Sequence, residues 1–161
     1  MILAAVFLAA GMILPFFTAQ IKEVGDSLLP MHIPVLLCGF VCGANWGLIV
    51  GLILPFLRSA VFSMPPIYPN AVWMSLELAT YGFTVGFLYD RSKKIYASLI
   101  TAMIVGRIVW GVAKTVFLGL GGQMFTFHAF IVGGLLDAIP GIALQLILIP
   151  LIMRAICKNG D

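Results

Sequence analysis

The chain alternates between long apolar runs and short polar breaks, and the lengths of the runs say what they are. Ile2–Thr18 is the first run, with Pro15 close to its end. Residues 19–30 form the longest polar connection and carry Gln20, Lys22, Glu23, Gly25, Asp26 and Ser27. The next run, 28–62, would reach about 50 Å as one helix, longer than a bilayer core of about 30 Å requires. Gly43, Ala44, Asn45, Trp46 and Gly47 interrupt it. This cluster predicts two short spans joined by a tight turn at Asn45. Residues 63–70 cannot continue a helix, because Pro65, Pro66 and Pro69 remove backbone donors and restrict their neighbours. A span over 71–89, a charged turn, a span over 95–118 and a last span over 127–156 complete the chain, with Gly119 opening the final loop. The pattern predicts an all-α integral membrane protein, a six-transmembrane-helix bundle forming one domain over 1–161.

Composition strengthens this reading. Apolar residues make up 62% of the chain and charged residues 9%, where a soluble domain carries roughly 25% charged residues. A chain of 161 residues with so few charges could not cover a water-facing surface. The lipid bilayer is therefore its outer solvent. The first apolar run lacks a basic leading region and a small-residue cleavage site, so it reads as a membrane helix and not as a signal peptide. Asp90, Arg91, Lys93 and Lys94 lie between two spans, and Arg154 and Lys158 follow the last. The positive-inside tendency assigns both groups to the cytoplasm. Six spans then place both termini there, with loops 19–30, 63–70 and 119–126 outside and Lys22 their only Lys or Arg. No basic stripe interleaved with aromatics suggests nucleic acid as a partner.

Small residues mark the expected helix contacts, since close backbone approach drives packing in lipid. Ala5 and Ala9, Gly39 and Gly43, Gly47 and Gly51, and Gly82 and Gly86 are each four apart, so each pair lies on one helix face.

Charges inside spans are costly and usually face a cavity or a partner. Arg58, Glu77, Arg107, Lys114 and Asp137 are of this kind. Trp73, Glu77 and Tyr81 share a stripe by spacings of four, Arg107 and Lys114 share a face, and Trp110 sits between them. Tyr68 and Asn70 lie at the mouth of the fourth span. Polar groups converging with aromatics beneath three outer loops predict a pocket open to the outside. Internal ion pairs are the plain alternative for each charge. Three cations against two acids leave one positive charge over, which a substrate carboxylate would neutralise.

Other chemistries find little support. HExxH, GxSxG and a phosphate-binding loop are missing from the chain. Cys38, Cys42 and Cys157 make no ligand spacing with His32 or His128, so no metal or cofactor is expected and the cysteines read as small buried side chains. The two histidines read as interfacial or loop-contact residues.

Several stretches carry a family resemblance. Residues 28–43 (LLPMHIPVLLCGFVCG), 55–59 (PFLRS), 77–82 (ELATYG) and 140–150 (PGIALQLILIP) resemble the second, third, fourth and last spans of the substrate-binding S components of energy-coupling-factor (ECF) vitamin importers. Residues 5–9 (AVFLA) match the Ala-xxx-Ala motif of their first helix. The combination is most similar to the branch that includes pantothenate and folate importers. The resemblance implies a subunit without its own ATPase that captures a vitamin from outside and reorients in the membrane. It implies docking, through Ala5 and Ala9, on a transmembrane coupling subunit driven by two ABC ATPases. It also implies a lid, here 19–30 with Gln20, Lys22 and Gly25. Two alternatives stay open: a stand-alone transporter coupled to ions through Glu77 and Asp137, and a membrane-embedded enzyme using His32 or His128.

Overall fold

The computed structural model describes residues 1–18, 30–63, 65–120 and 138–158. Among them are six α-helices and no strand: α1 Ile2–Thr18, α2 His32–Cys42, α3 Ala44–Phe62, α4 Val72–Ser92, α5 Ile95–Leu120 and α6 Ile139–Lys158. Helices α3 to α6 are long and apolar enough to cross a bilayer, while α1 and α2 are apolar but shorter.

The 28–62 run is divided as expected, but at a different residue. The break falls at Gly43 (φ 90°), and Asn45 lies inside α3. A backbone with φ well above zero is cheap only for glycine. Asn45 has no such constraint and simply joins the helix. Gly119 is likewise helical, because α5 runs on to Leu120. An added Cβ on Gly119 would meet nothing within 4 Å, so neither packing nor backbone angle calls for a glycine there.

Helix α2 is the centre of the bundle. Every side chain from His32 to Phe40 is buried, and α1, α3, α4 and α6 pack around it. A helix that is apolar on all sides belongs in such a position. Glycines let α2, α3 and α4 approach to backbone contact. A Cβ on Gly39 or Gly47 would strike the Gly82 carbonyl, and one on Gly82 would strike the Gly47 backbone. Gly51 meets Leu78 and Gly86 meets Ala44 in the same way. Of the expected small-residue pairs, Gly47/Gly51 and Gly82/Gly86 thus both sit in this seam. Gly39 joins them, whereas its partner Gly43 serves the break, and an added Cβ there would meet nothing within 4 Å.

Arg58 ties α3 to α1. Its Nη1 donates to the Met12 carbonyl at 3.1 Å, and its guanidinium lies 5.6 and 5.8 Å from the Phe16 and Phe62 rings. Those rings meet edge to face at 4.6 Å. A cation near the last turn of α1 also suits the negative end of the helix dipole. At the other end of α4, Lys93 adopts a left-handed cap and donates its N–H to Tyr89 at 2.9 Å, which ends the helix at the charged turn.

Candidate functional site

The stripe on α4 turns inward as its spacing predicts, and Trp73, Glu77 and Tyr81 are all buried. Glu77 is 2% exposed and Arg107, from α5, is 7% exposed. Arg107 Nη1 lies 3.2 Å from Glu77 Oε1. A third group completes the cluster: His32, the first residue of α2, places Nε2 3.5 Å from the same oxygen. The Tyr81 ring meets the His32 ring edge-on at 5.1 Å.

An aromatic and cationic stack continues along α4 and α5. The Arg107 guanidinium lies 5.7 Å from the Trp110 ring. Lys114 Nζ lies 4.6 Å from Trp110 and 5.7 Å from Trp73. Contacts of this type contribute about 0.5–2 kcal/mol each, more where water is excluded. Trp73, Trp110 and Ala113 form a small apolar cluster of their own, with Phe117 packed on it. Tyr68, in the turn before α4, meets Phe117 edge to face at 6.3 Å.

Burying charge in this way is costly unless partners and hydrogen bonds are in place. The ion pairs supply charge neutrality for Glu77 but not full hydrogen bonding. Among the described residues, buried side-chain atoms without a hydrogen-bond partner include His32 Nδ1 and Nε2, Glu77 Oε1, Arg107 Nε and Nη2, and Gln145 Nε2. Most buried polar atoms in folded proteins are bonded, and five of these six exceptions belong to His32, Glu77 and Arg107.

The sequence-predicted residues divide into three groups. Trp73, Glu77, Tyr81, Arg107, Trp110 and Lys114 are brought together. Arg58 is not with them, because its side chain is engaged on α1. Asn70 sits half-buried in the turn leading into α4. Asp137, His128 and the loop residues Gln20, Lys22 and Gly25 lie outside the described residues. Ala5 and Ala9 are both exposed on α1, whereas their neighbour Ala4 is buried.

His32 corrects the expectation of an interfacial or loop-contact residue: it is 2% exposed and faces a carboxylate. The available signal was a titratable residue heading a run with no polar side chain from Ile33 to Cys42. Gln145, the one polar side chain of α6 before Arg154, was missed for the same lack of a pairing rule; it too is buried.

Two surface hollows are lined by residues other than His32, Glu77 and Arg107. One of about 420 Å³ is lined by Met1, Leu3, Val41, Cys42 and Trp46. An apolar one of about 350 Å³ lies between α4 and α5 over Leu76, Ile108, Val112 and Phe117. The charged cluster itself is interior, with His32, Glu77 and Arg107 all buried. Among the described residues no group of His, Cys, Asp and Glu is placed to hold a metal ion.

Compared with known families, residues 1–153 match the family model described as "ECF transporter, substrate-specific component". No curated protein matches the chain.

Proposed function

The chain belongs to the substrate-specific components of ECF transporters, and from that premise we propose that it captures a carboxylate-bearing vitamin from outside the cell, pantothenate ahead of folate. Membership makes it a multi-pass cell-membrane protein and a substrate-binding transport subunit rather than an enzyme. Family partners in general are a coupling subunit and ATPases. On the proposed reading these are one transmembrane coupling subunit, met by the Ala5 and Ala9 face of α1, and two ABC ATPases. Six spans with both termini cytoplasmic turn the Lys114 end of the stack outward.

The observation that supports an acid as substrate is the meeting of Arg107, Glu77, Trp73, Trp110 and Lys114 from α4 and α5. Cations held on tryptophan faces, with Glu77 the one carboxylate placed among them by the described residues, suit a small anion with an apolar body. A charge-assisted hydrogen bond contributes about 1.5–3 kcal/mol. Arg107→Met or Lys114→Met should therefore weaken binding of the acid by roughly one to two orders of magnitude. Arg58→Met should leave affinity unchanged while lowering the melting temperature, because Arg58 holds α1 and not the cluster. Calorimetric titration of the three variants in detergent, without ATP, measures this. Unchanged affinity in both Arg107→Met and Lys114→Met would remove the carboxylate anchor.

A further inference from the structure

The cytoplasmic half of α4 carries Phe83, Phe87 and Arg91 at four-residue spacings, so the three side chains follow one another along one face. All three are exposed, while Gly82, Val85 and Gly86 face the bundle and are buried. The Phe83 and Phe87 rings are stacked, with centroids 5.8 Å apart and planes 14° from parallel. The Arg91 guanidinium lies 4.3 Å from the centre of the Phe87 ring. A ribbon of aromatic surface on the outside of a membrane-crossing helix thus ends in a cation.

Stacking and hydrogen bonding use different parts of an arginine. Its flat face rests on a ring, and its five N–H donors point outward in the plane, in a fork that matches phosphate oxygens. Asp90, the acid of the same turn, is paired with Lys93 at 3.8 Å, and Lys93 leans on the Tyr89 ring at 5.4 Å. Among the described residues the ion pairs leave Arg91 without a carboxylate. Lys94 is also exposed, so the turn stays positive, with three cations against one acid. The depth fits a single leaflet. Phe83 and Arg91 are about 12 Å apart along the helix, within half of a bilayer core of about 30 Å. Tyr96, in the first turn of α5 and 49% exposed, stands at the level of an interfacial aromatic.

We propose that this face seats one anionic phospholipid of the leaflet that the charged turn meets, the cytoplasmic one by the positive-inside tendency. The lipid phosphate takes the outward N–H edge of Arg91, Lys94 adds its charge, and an acyl chain lies along Phe87 and Phe83. Charge complementarity selects the occupant. A zwitterionic headgroup brings its own cation toward the guanidinium, whereas an anionic one brings none. Another helix would need small side chains to come close, and two protruding rings hold it off; a flexible acyl chain follows their contour. The seat begins two residues beyond Tyr81 and its cation lies ten beyond it, about 15 Å along α4, on the opposite side of the helix from the buried stripe. It therefore stands whether or not the substrate is an acid.

The test is native mass spectrometry of the purified full chain in detergent, titrated in parallel with phosphatidylglycerol and phosphatidylcholine of identical acyl chains. One phosphatidylglycerol per chain should be retained in preference to phosphatidylcholine. Arg91→Gln should lower that preference about fivefold, the ordinary contribution of one basic residue at a membrane surface. Arg91→Lys keeps the charge without the flat stacking face and should recover part of it. Glycerol phosphate, which has the phosphate and no tails, should not displace the lipid at equal concentration. Equal retention of the two lipids by the wild-type chain would overturn the proposal. So would a preference unchanged in Arg91→Gln, or displacement by glycerol phosphate. Loss of co-purification with the coupling subunit in Arg91→Gln, with the lipid preference intact, would give the face to a partner helix instead.

Discussion

Placing tryptophan at both Ala5 and Ala9 is expected to abolish substrate uptake and co-purification with the coupling subunit, while the isolated chain binds substrate as before. The two alanines are one turn apart, so both methyl groups point to one side of α1. Both are exposed, and Ala4 beside them is the residue that turns into the bundle. Two indole rings would thus project away from the protein's own helices and stand where another helix has to come close. Helix association in lipid depends on that approach, because lipid tails compete for the same apolar surface. The charged cluster is unaffected for a geometric reason: it is built from α2, α4 and α5. Affinity by calorimetry and recovery by pull-down, measured on the same variant, decide the matter. Loss of both together would mean that the alanines serve the fold and not a partner.

Gly82 carries the second large effect. A methyl group at this position gains about 1 kcal/mol of helix propensity. It also collides with the Gly47 backbone. Overpacking costs typically 1–3 kcal/mol where side chains can yield, and here the obstacle is main chain, so the collision outweighs the propensity. Gly82→Ala should lower the melting temperature in detergent, and Gly82→Val should fail to accumulate as folded protein. Gly119→Ala is the control, since its new methyl meets nothing within 4 Å and it keeps the propensity gain. Equal melting of Gly82→Ala and wild type would mean that α3 and α4 are not in backbone contact.

Four long apolar helices, the buried stripe on α4 and the glycine seam were legible in the sequence, because each depends on spacing within one element. A helix at four-residue spacing must bring Trp73, Glu77 and Tyr81 to one side, whatever its neighbours do. Contacts between elements were not legible in this way. Arg58 has the same intramembrane signature as Arg107, and only the arrival of Met12 and Phe16 from α1 separates a clamp from a site residue. His32 depends on α2 being wholly enclosed, which apolar spacing alone does not distinguish from a lipid-facing helix. The break at Gly43 and not at Asn45 follows from a single positive φ, which a Gly-Ala-Asn run does not localise.

The most direct measurement is equilibrium binding of pantothenate and folate to the purified chain in detergent, with neither ATP nor partner subunits present. The account predicts saturable binding of at least one acid at one site per chain, at roughly micromolar affinity or tighter, with the signal lost in Arg107→Met at the same ligand concentration. The absence of saturable binding for both acids, in protein that melts cooperatively, would contradict it.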